Sequence, residues 1–194
     1  MIQQWGADAV RYWTAGGQLG KDIVFDEEEL RMGQKLVTKL RNAFQFVKMQ
    51  LENADMDSLL STEIERTSTD QWILKRLQET IAKMTDYLDR FEYGLAKIAF
   101  EDFFWTDFCD NYLELIKVRL YQPERFENGV QKQQSGQKTL YEVFYTILLL
   151  IAPYLPHVTE EIYQEYYRPE MEKKESKSQT SSLHLQSYPS ADAF

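Results

Sequence analysis

The chain reads as an all-α helical bundle. Three observations predict this. Apolar residues recur at helical spacing along nearly its whole length, no segment alternates long enough to make a sheet, and the polar interruptions are short. With 194 residues, 43% of them hydrophobic and 14% aromatic, the chain has material for a substantial core, while 27% charged residues keep its surface wet. No apolar run approaches the ~18 residues of a membrane span, and "MIQQWGADAV" has no basic segment followed by a long apolar one, so neither a membrane helix nor a signal peptide is expected. A single cysteine, Cys109, excludes an internal disulfide and a multi-cysteine metal site and fits a reducing, cytoplasmic setting. The helical start "WGADAVRYW" lacks a polar leader, which suggests a piece of a longer protein.

Each element follows in order. A first helix, about Ala7 to Thr14, ends at Gly16-Gly17, where residues without a β-carbon turn freely. "GGQLGKDIVF" is irregular, with Ile23 to Phe25 extended. Asp26 is a fair N-cap for the second helix, and Glu27 to Glu29 set negative charge against the positive end of its dipole. That helix runs to about Asn53. Gly33, Leu36, Val37, Leu40, Ala43, Phe44, Val47 and Leu51 share one side of it and form its core stripe. Residues 52–67 have weak periodicity and read as a loop. A third helix begins at "STDQW", where Ser68 and Gln71 have capping-box spacing, and continues to about Phe91.

A turn at Tyr93-Gly94 opens the fourth helix, Leu95 to about Tyr121, in which Phe100, Phe104, Phe108 and Tyr112 rise by helical steps and read as core; Pro123 stops it. "ERFENGVQKQQSGQK" is polar with two glycines and reads as a second loop. The fifth helix, Thr139 to Ala152, is nearly all apolar and therefore central. Pro153 and Pro156 break it before "HVTEEIYQEYY" resumes as a short sixth helix with Thr159 or His157 near its start. "EMEKKESKSQTSS" reads as a mobile polar linker, and the alternation in "LHLQSY" predicts one short extended segment docking on the bundle.

Charge is partitioned along this chain. The formal net charge is -9, yet "RMGQKLVTKLRNAFQFVKMQ", residues 31 to 50, holds five Lys or Arg and no acid; the other 17 cations then face all 31 acids, leaving -14 elsewhere. A positive face on a repelling body steers a polyanion to one place. A solvated helix face is the ordinary reading of such charges. Arg31, Lys35, Lys39, Asn42, Phe46 and Met49 fall together on the wheel, however, with Arg41 and Lys48 at the other edge of the core stripe. On that polar side the ring of Phe46 has no core reason to be there. A ring, an amide and several cations are the parts used to hold unstacked bases and their phosphates. By pattern alone, RNA and an acidic protein partner remain equally good readings.

The letters carry more than the pattern. "GADAVRYWTAGGQLGKDIVFDEEELRMGQKLVTKLRNAFQFV", "DQWILKRL", "EDFFWTDFCDNYLELIK" and "IAPYLPHVTEEIYQ" closely resemble, in order, segments of the valyl-tRNA synthetases, and "SLHLQSYP" is similar to the strand that follows them in that family. "GKDIVFDE" and "KLRNAFQFV" favour the valyl branch over the isoleucyl and leucyl ones. The resemblance implies an anticodon-binding bundle of the class I synthetase type, at residues 26–167. Residues 1–25 would be a connector from a missing catalytic domain, and 168–194 a polar linker and tail.

In the family, ATP activates valine, the valyl group passes to the tRNA, and an editing activity is expected. Nothing here matches the His-Ile-Gly-His signature or the editing domain. The run "KESKS", residues 174–178, looks like the Lys-Met-Ser-Lys-Ser loop but stands in the wrong order and reads as coincidence. The fragment is therefore expected to have no catalytic residue and no cofactor of its own, ATP belonging to the missing domain. Its partners would be the anticodon stem and loop of valine tRNA and its own catalytic domain, with no DNA or membrane, as a monomer. Carried over residue by residue, Arg31, Lys35, Lys39 and Arg41 would meet phosphates. Asn42 and Phe46 would meet bases, although Asn42 has a structural alternative in bonding its own backbone. Lys21 would touch the tRNA backbone from the connector.

Other chemistry is poorly supported. Cys109 lies in an aromatic helix and reads as a small core residue, and His157, just after Pro156, as a capping or surface group, so a Cys-His nucleophilic pair is not expected. Two histidines and one cysteine spread along the chain show no metal-ligand spacing. The rivals to anticodon recognition by a valyl enzyme are the same domain of an isoleucyl-type enzyme and a helical protein-interaction module.

Overall fold

The computed structural model describes every residue except 18, 62, 173–180 and 194, and among these it is helical without a strand. The helices are α1 Ile2–Trp5, α2 Ala7–Thr14, α3 Glu27–Leu51, α4 Met56–Ser61, α5 Ser68–Asp89, α6 Tyr93–Glu101, α7 Leu113–Tyr121, α8 Gly129–Ile151, α9 Pro156–Ile162 and α10 Arg168–Glu172. Helix α6 continues into α7 through π-helical turns over Asp102–Tyr112, where the N–H of Leu113 reaches back five residues to Phe108; α9 continues into α10 through a similar stretch, Tyr163–Tyr167. Central α8 touches α3, α4, α5, α7 and α9. Its last turns are apolar on every side because Leu140, Phe144, Ile147, Leu148 and Ile151 are all fully enclosed.

The seam between α5, the α6–α7 helix and α8 rests on a ladder of rings. Phe100, Phe104, Phe108 and Tyr112 stack at successive centroid distances of 5.6, 6.2 and 6.2 Å, and Phe144 of α8 meets Phe108 at 6.2 Å. Burying each such side chain contributes roughly 1.5–3 kcal/mol. Apolar packing is the cohesive term, but it tolerates sliding.

Direction comes from Asp70, which is wholly buried. Its Oδ1 accepts from Tyr112 Oη at 2.6 Å and from the Arg119 guanidinium; its Oδ2 accepts from Ser135 Oγ at 2.5 Å and Thr67 Oγ1 at 2.8 Å. Beside it Arg66 donates to Thr139 Oγ1 at 2.5 Å and to Glu142 Oε2 at 2.6 Å. Four donors on one carboxylate satisfy a charge that would otherwise be very costly to bury.

Several expected boundaries move. The loop over 52–67 contains α4, whose Leu59 is buried against the core and whose first turn is capped by Asp55 Oδ1 at 3.2 Å from Ser58 N. The N-cap of α5 is Thr67, not Ser68. Gln71 reaches back to the carbonyl of Arg66 at 3.1 Å, so no capping box forms at Ser68. The supposed second loop is helical from Gly129. Its polar residues serve α7: Gln133 Nε2 donates to the Leu120 carbonyl at 2.8 Å, and a β-carbon on Gly136 would sit 3.2 Å from Arg119 Nε. Ile23 to Phe25 form neither helix nor strand, and Phe25 rests edge-on against Trp13 at 5.8 Å.

Nor is the tail a simple extended segment. Leu183–Leu185 is a 3-10 turn that breaks the two-residue alternation, so Leu183 is buried while Leu185 is 72% exposed. Glu160 Oε2 holds it, accepting from Leu183 N at 2.9 Å. The polar stretch 173–180, read as a mobile linker, and with it "KESKS", lies outside the described residues.

Residues 1–17 pack onto the bundle. Helix α2 crosses α3 at Gly33, where a β-carbon would stand 3.0 Å from Ala9 Cα, and Tyr12 is buried there. Asp8 then caps α9 from a distance of 149 residues in sequence, accepting His157 N at 3.1 Å and Val158 N at 2.8 Å. Arg11 donates to the Pro153 carbonyl at 2.8 Å. These bonds join α2 to α9, and both pack on α3.

The buried network yields the first prediction. Replacing Asp70 by Ala strands the Arg119 charge and is expected to cost about 3–5 kcal/mol in urea unfolding; a loss below about 1 kcal/mol contradicts the role given to it.

Candidate nucleic-acid interface

Helix α3 is an unbroken α-helix of 25 residues, and its two faces have different chemistry. Leu30, Gly33, Leu36, Leu40, Ala43, Phe44, Val47 and Leu51 are buried, as the wheel requires; Val37 is half-buried. Asp26 caps it, its Oδ1 accepting from Glu28 N at 2.8 Å. The outward side of its first half is a groove lined by Arg31, Gln34, Lys35, Lys39, Asn42 and, from the π-helical stretch, Trp105. A second groove shares Gln34 and Thr38 and runs between Trp5 and Gly6, Arg41 and His157. Together they make one continuous trough along α3, flanked by Trp5 on one side and Trp105 on the other.

The expected residues are not all in one place. Arg31, Lys35, Lys39 and Asn42 come together in the first groove, and Arg41 lines the second. Lys21 sits on the exposed turn after α2 and borders neither. Phe46 departs most from its sequence reading. The ring is half-buried against the core and meets Tyr121 edge-on at 6.5 Å, because the end of α7 lies beside this part of α3. It therefore has a packing partner that the wheel of α3 alone does not reveal. Trp105, conversely, lies in the aromatic run from Phe100 to Tyr112 that the sequence reads as core, yet it borders the groove. Its signal was its place just outside the four-residue rhythm of Phe100, Phe104, Phe108 and Tyr112, which points it away from their ladder.

The electrostatics are also more guarded than composition suggests. Arg31 lies 3.5 Å from Glu27 and Lys35 3.6 Å from Glu28, both acids of the helix's own first turn. Arg41 pairs with Glu161 and Lys48 with Glu165, each at 2.6 Å, the acids coming from α9 and the stretch after it. Among the described residues Lys39 has no carboxylate within 4.0 Å; its ammonium lies 5.6 Å from the Trp105 ring centre. The paired side chains are all 41% exposed or more, so each bridge is worth about 0–1 kcal/mol and weakens with salt. Such pairs hold cations in position without committing them, and a phosphate can displace a surface carboxylate.

The remaining candidates take structural roles. Cys109 is buried, and burial pushes its thiol up to about 12, far from the thiolate that nucleophilic chemistry requires. His157 Nδ1 is 2.8 Å from Asp8 Oδ1 and belongs to the α9 cap. Among the described residues no group of three or more His, Cys, Asp or Glu is placed to hold a metal, and no helix is long and apolar enough to cross a membrane.

The chain is thus a helical bundle with a groove of cations and rings along one long helix, and comparisons with known proteins give its family. Residues 70–194 match the family described as the anticodon-binding domain of tRNA ligase, and the chain belongs to that family. It is 43% identical over 171 residues to a valine--tRNA ligase of Ehrlichia ruminantium (strain Gardel), covering 86% of this chain and 20% of that protein. To the valine--tRNA ligase of Wolbachia sp. subsp. Brugia malayi (strain TRS) it is 45% identical over 167 residues, 86% of this chain and 19% of the relative. The chain thus spans about a fifth of the length of the curated relatives it matches. The fold is shared with the agnB2 LeuRS of Agrobacterium radiobacter K84, solved as a ternary LeuRS-tRNA-LeuAMS complex, at TM-score 0.62 and 18% identity over 98% of this chain and 21% of that one.

If the carboxylates of the C-terminal helix restrain the stripe, removing their charge should strengthen RNA binding. The double substitution Glu161→Gln, Glu165→Gln is expected to raise affinity for an anticodon-arm RNA hairpin several-fold at low salt, from about 0.2–1 kcal/mol per pair, and less at high salt. Unchanged or weakened binding by filter retention contradicts the restraint.

Proposed function

We propose that this chain recognises the anticodon stem and loop of valine tRNA as the anticodon-binding part of a valine--tRNA ligase. The parent protein attaches valine to that tRNA with ATP in the cytoplasm, and a catalytic domain elsewhere in the same polypeptide carries out the chemistry. The observation that carries the reading is the trough on α3. Arg31, Lys35, Lys39 and Asn42 meet there, on the exposed side of α3. The valine--tRNA ligase relatives support the valyl branch over the isoleucyl one.

The division of labour follows from geometry and chemistry. Arg31, Lys35, Lys39 and Arg41 project on flexible stems and meet backbone phosphates, which gives affinity without sequence choice. Asn42 is exposed and lines the groove, where its amide offers both a donor and an acceptor to a base edge. Phe46, edge-on to Tyr121, offers one remaining flank to a base, and Lys21 reaches the tRNA backbone from the connector. In this reading the chain contributes by holding one arm of the tRNA so that the parent's active site meets the other. The bundle acts as a monomer in this scheme.

Two titrations test it. Neutralising about three to five phosphates predicts a slope of log K against log salt on the order of -2 to -4. Binding to valine tRNA should also exceed that to the same tRNA with an altered anticodon and to isoleucine tRNA. A flat salt response defeats the electrostatic footprint; equal affinity for all three RNAs defeats anticodon recognition and favours a general or protein-directed surface.

A further inference from the structure

We infer that Trp105 is a stacking platform for one unstacked nucleobase of the bound RNA loop, with Lys39 as its gate. The inference rests on the reading of the trough as an RNA site and adds a residue to it.

Three observations meet at this ring. Trp105 is half-buried, while its neighbours Phe103, Phe104 and Phe108 are enclosed; it is the aromatic residue of the fourth helical segment that borders the α3 groove. Phe104 meets it at 5.7 Å and 68° and the ring packs partly on the core, while its remaining exposed part lines the groove. The groove presents the complementary groups, Lys35 and Arg31 for phosphates and Asn42 for a base edge. A fixed ring beside an amide and cations is what a splayed base requires, because every base has a π-face and stacking is indifferent to its identity.

Lys39 occupies the approach. Its ammonium is 5.6 Å from the ring centre, a loose distance, and among the described residues no carboxylate lies within 4.0 Å to detain it. Swinging it onto a phosphate therefore breaks one weak cation–π contact and no ion pair. It frees the ring face at the moment the nucleotide arrives with the negative charge that Lys39 then meets.

The test uses the whole chain and two RNA probes, a hairpin of the valine anticodon stem and loop and the same stem closed as a blunt duplex, with urea midpoints measured in parallel. Trp105→Leu should weaken hairpin binding about tenfold, equivalent to about 1.4 kcal/mol. Duplex binding and the salt slope should stay unchanged, and Trp105→Phe should recover most of the loss. Wild-type tryptophan emission should be quenched by the hairpin, and that quench should shrink in Trp105→Phe. Loop-selective binding that survives Trp105→Leu overturns the platform alone. So does a loss that is equal for hairpin and duplex, or one that Phe fails to restore. A wild-type chain that binds hairpin and duplex alike overturns the platform together with the reading beneath it.

Discussion

The relative register of α5, the α6–α7 helix and α8 is set at one buried carboxylate. Asp70 draws the hydroxyls of Tyr112, Ser135 and Thr67 and the guanidinium of Arg119 to a single point, tying α5 to the end of the α6–α7 helix and to α8. Ring packing between these helices supplies more free energy but little register. Hydrogen bonds at fixed angles supply the register. Because Tyr112 and Arg119 lie on the same continuous helix as Trp105 and Tyr121, the lock at Asp70 also decides where those two rings meet α3. Trp105 comes to rest beside Lys39, and Tyr121 beside Phe46. One atom of Arg119, Nε, is the buried side-chain polar atom without a partner among the described residues, a small cost set against four satisfied donors on Asp70.

The same economy governs the charges. A free cationic stripe on an acidic body would bind its own carboxylates in any accessible arrangement, and here it does, at Glu27, Glu28, Glu161 and Glu165. The bridges are exposed and weak, so they act as placeholders that a polyanion replaces. The cations of α3 are thus largely balanced by neighbouring acids until a polyanion displaces them. Among the described residues Lys39 has no carboxylate within 4.0 Å, so it can meet an incoming phosphate without breaking an ion pair.

How far the sequence foretold this depends on which interactions are local. The core stripe of α3, the Asp26 cap and the ring ladder follow from spacing along a single helix, and all three are present. What was illegible involves groups brought together from far apart. "ERFENGVQKQQSGQK" looks like a loop because its polar residues and glycines have no use within their own helix. Gly136 and Gln133 make sense only once Arg119 and the Leu120 carbonyl lie against them. The Asp8 cap on α9 spans 149 residues and has no local signature. Phe46 and Trp105 show the same limit at the site: a wheel places a ring on a face, but the neighbouring helix decides whether that face is covered. The stripe Arg31, Lys35, Lys39, Asn42 was legible because one helix carries all of it.

The most direct check of the account is where RNA shields the protein. Acylation of lysine ammonium groups by an N-hydroxysuccinimide ester, with and without the anticodon-arm hairpin, followed by peptide mass analysis, reads that shield residue by residue. The account predicts strong protection of Lys35 and Lys39 in the α3 groove and none of Lys83, which is exposed on α5. Unprotected Lys35 and Lys39 in a saturated complex, or protection centred on Lys83, would contradict it.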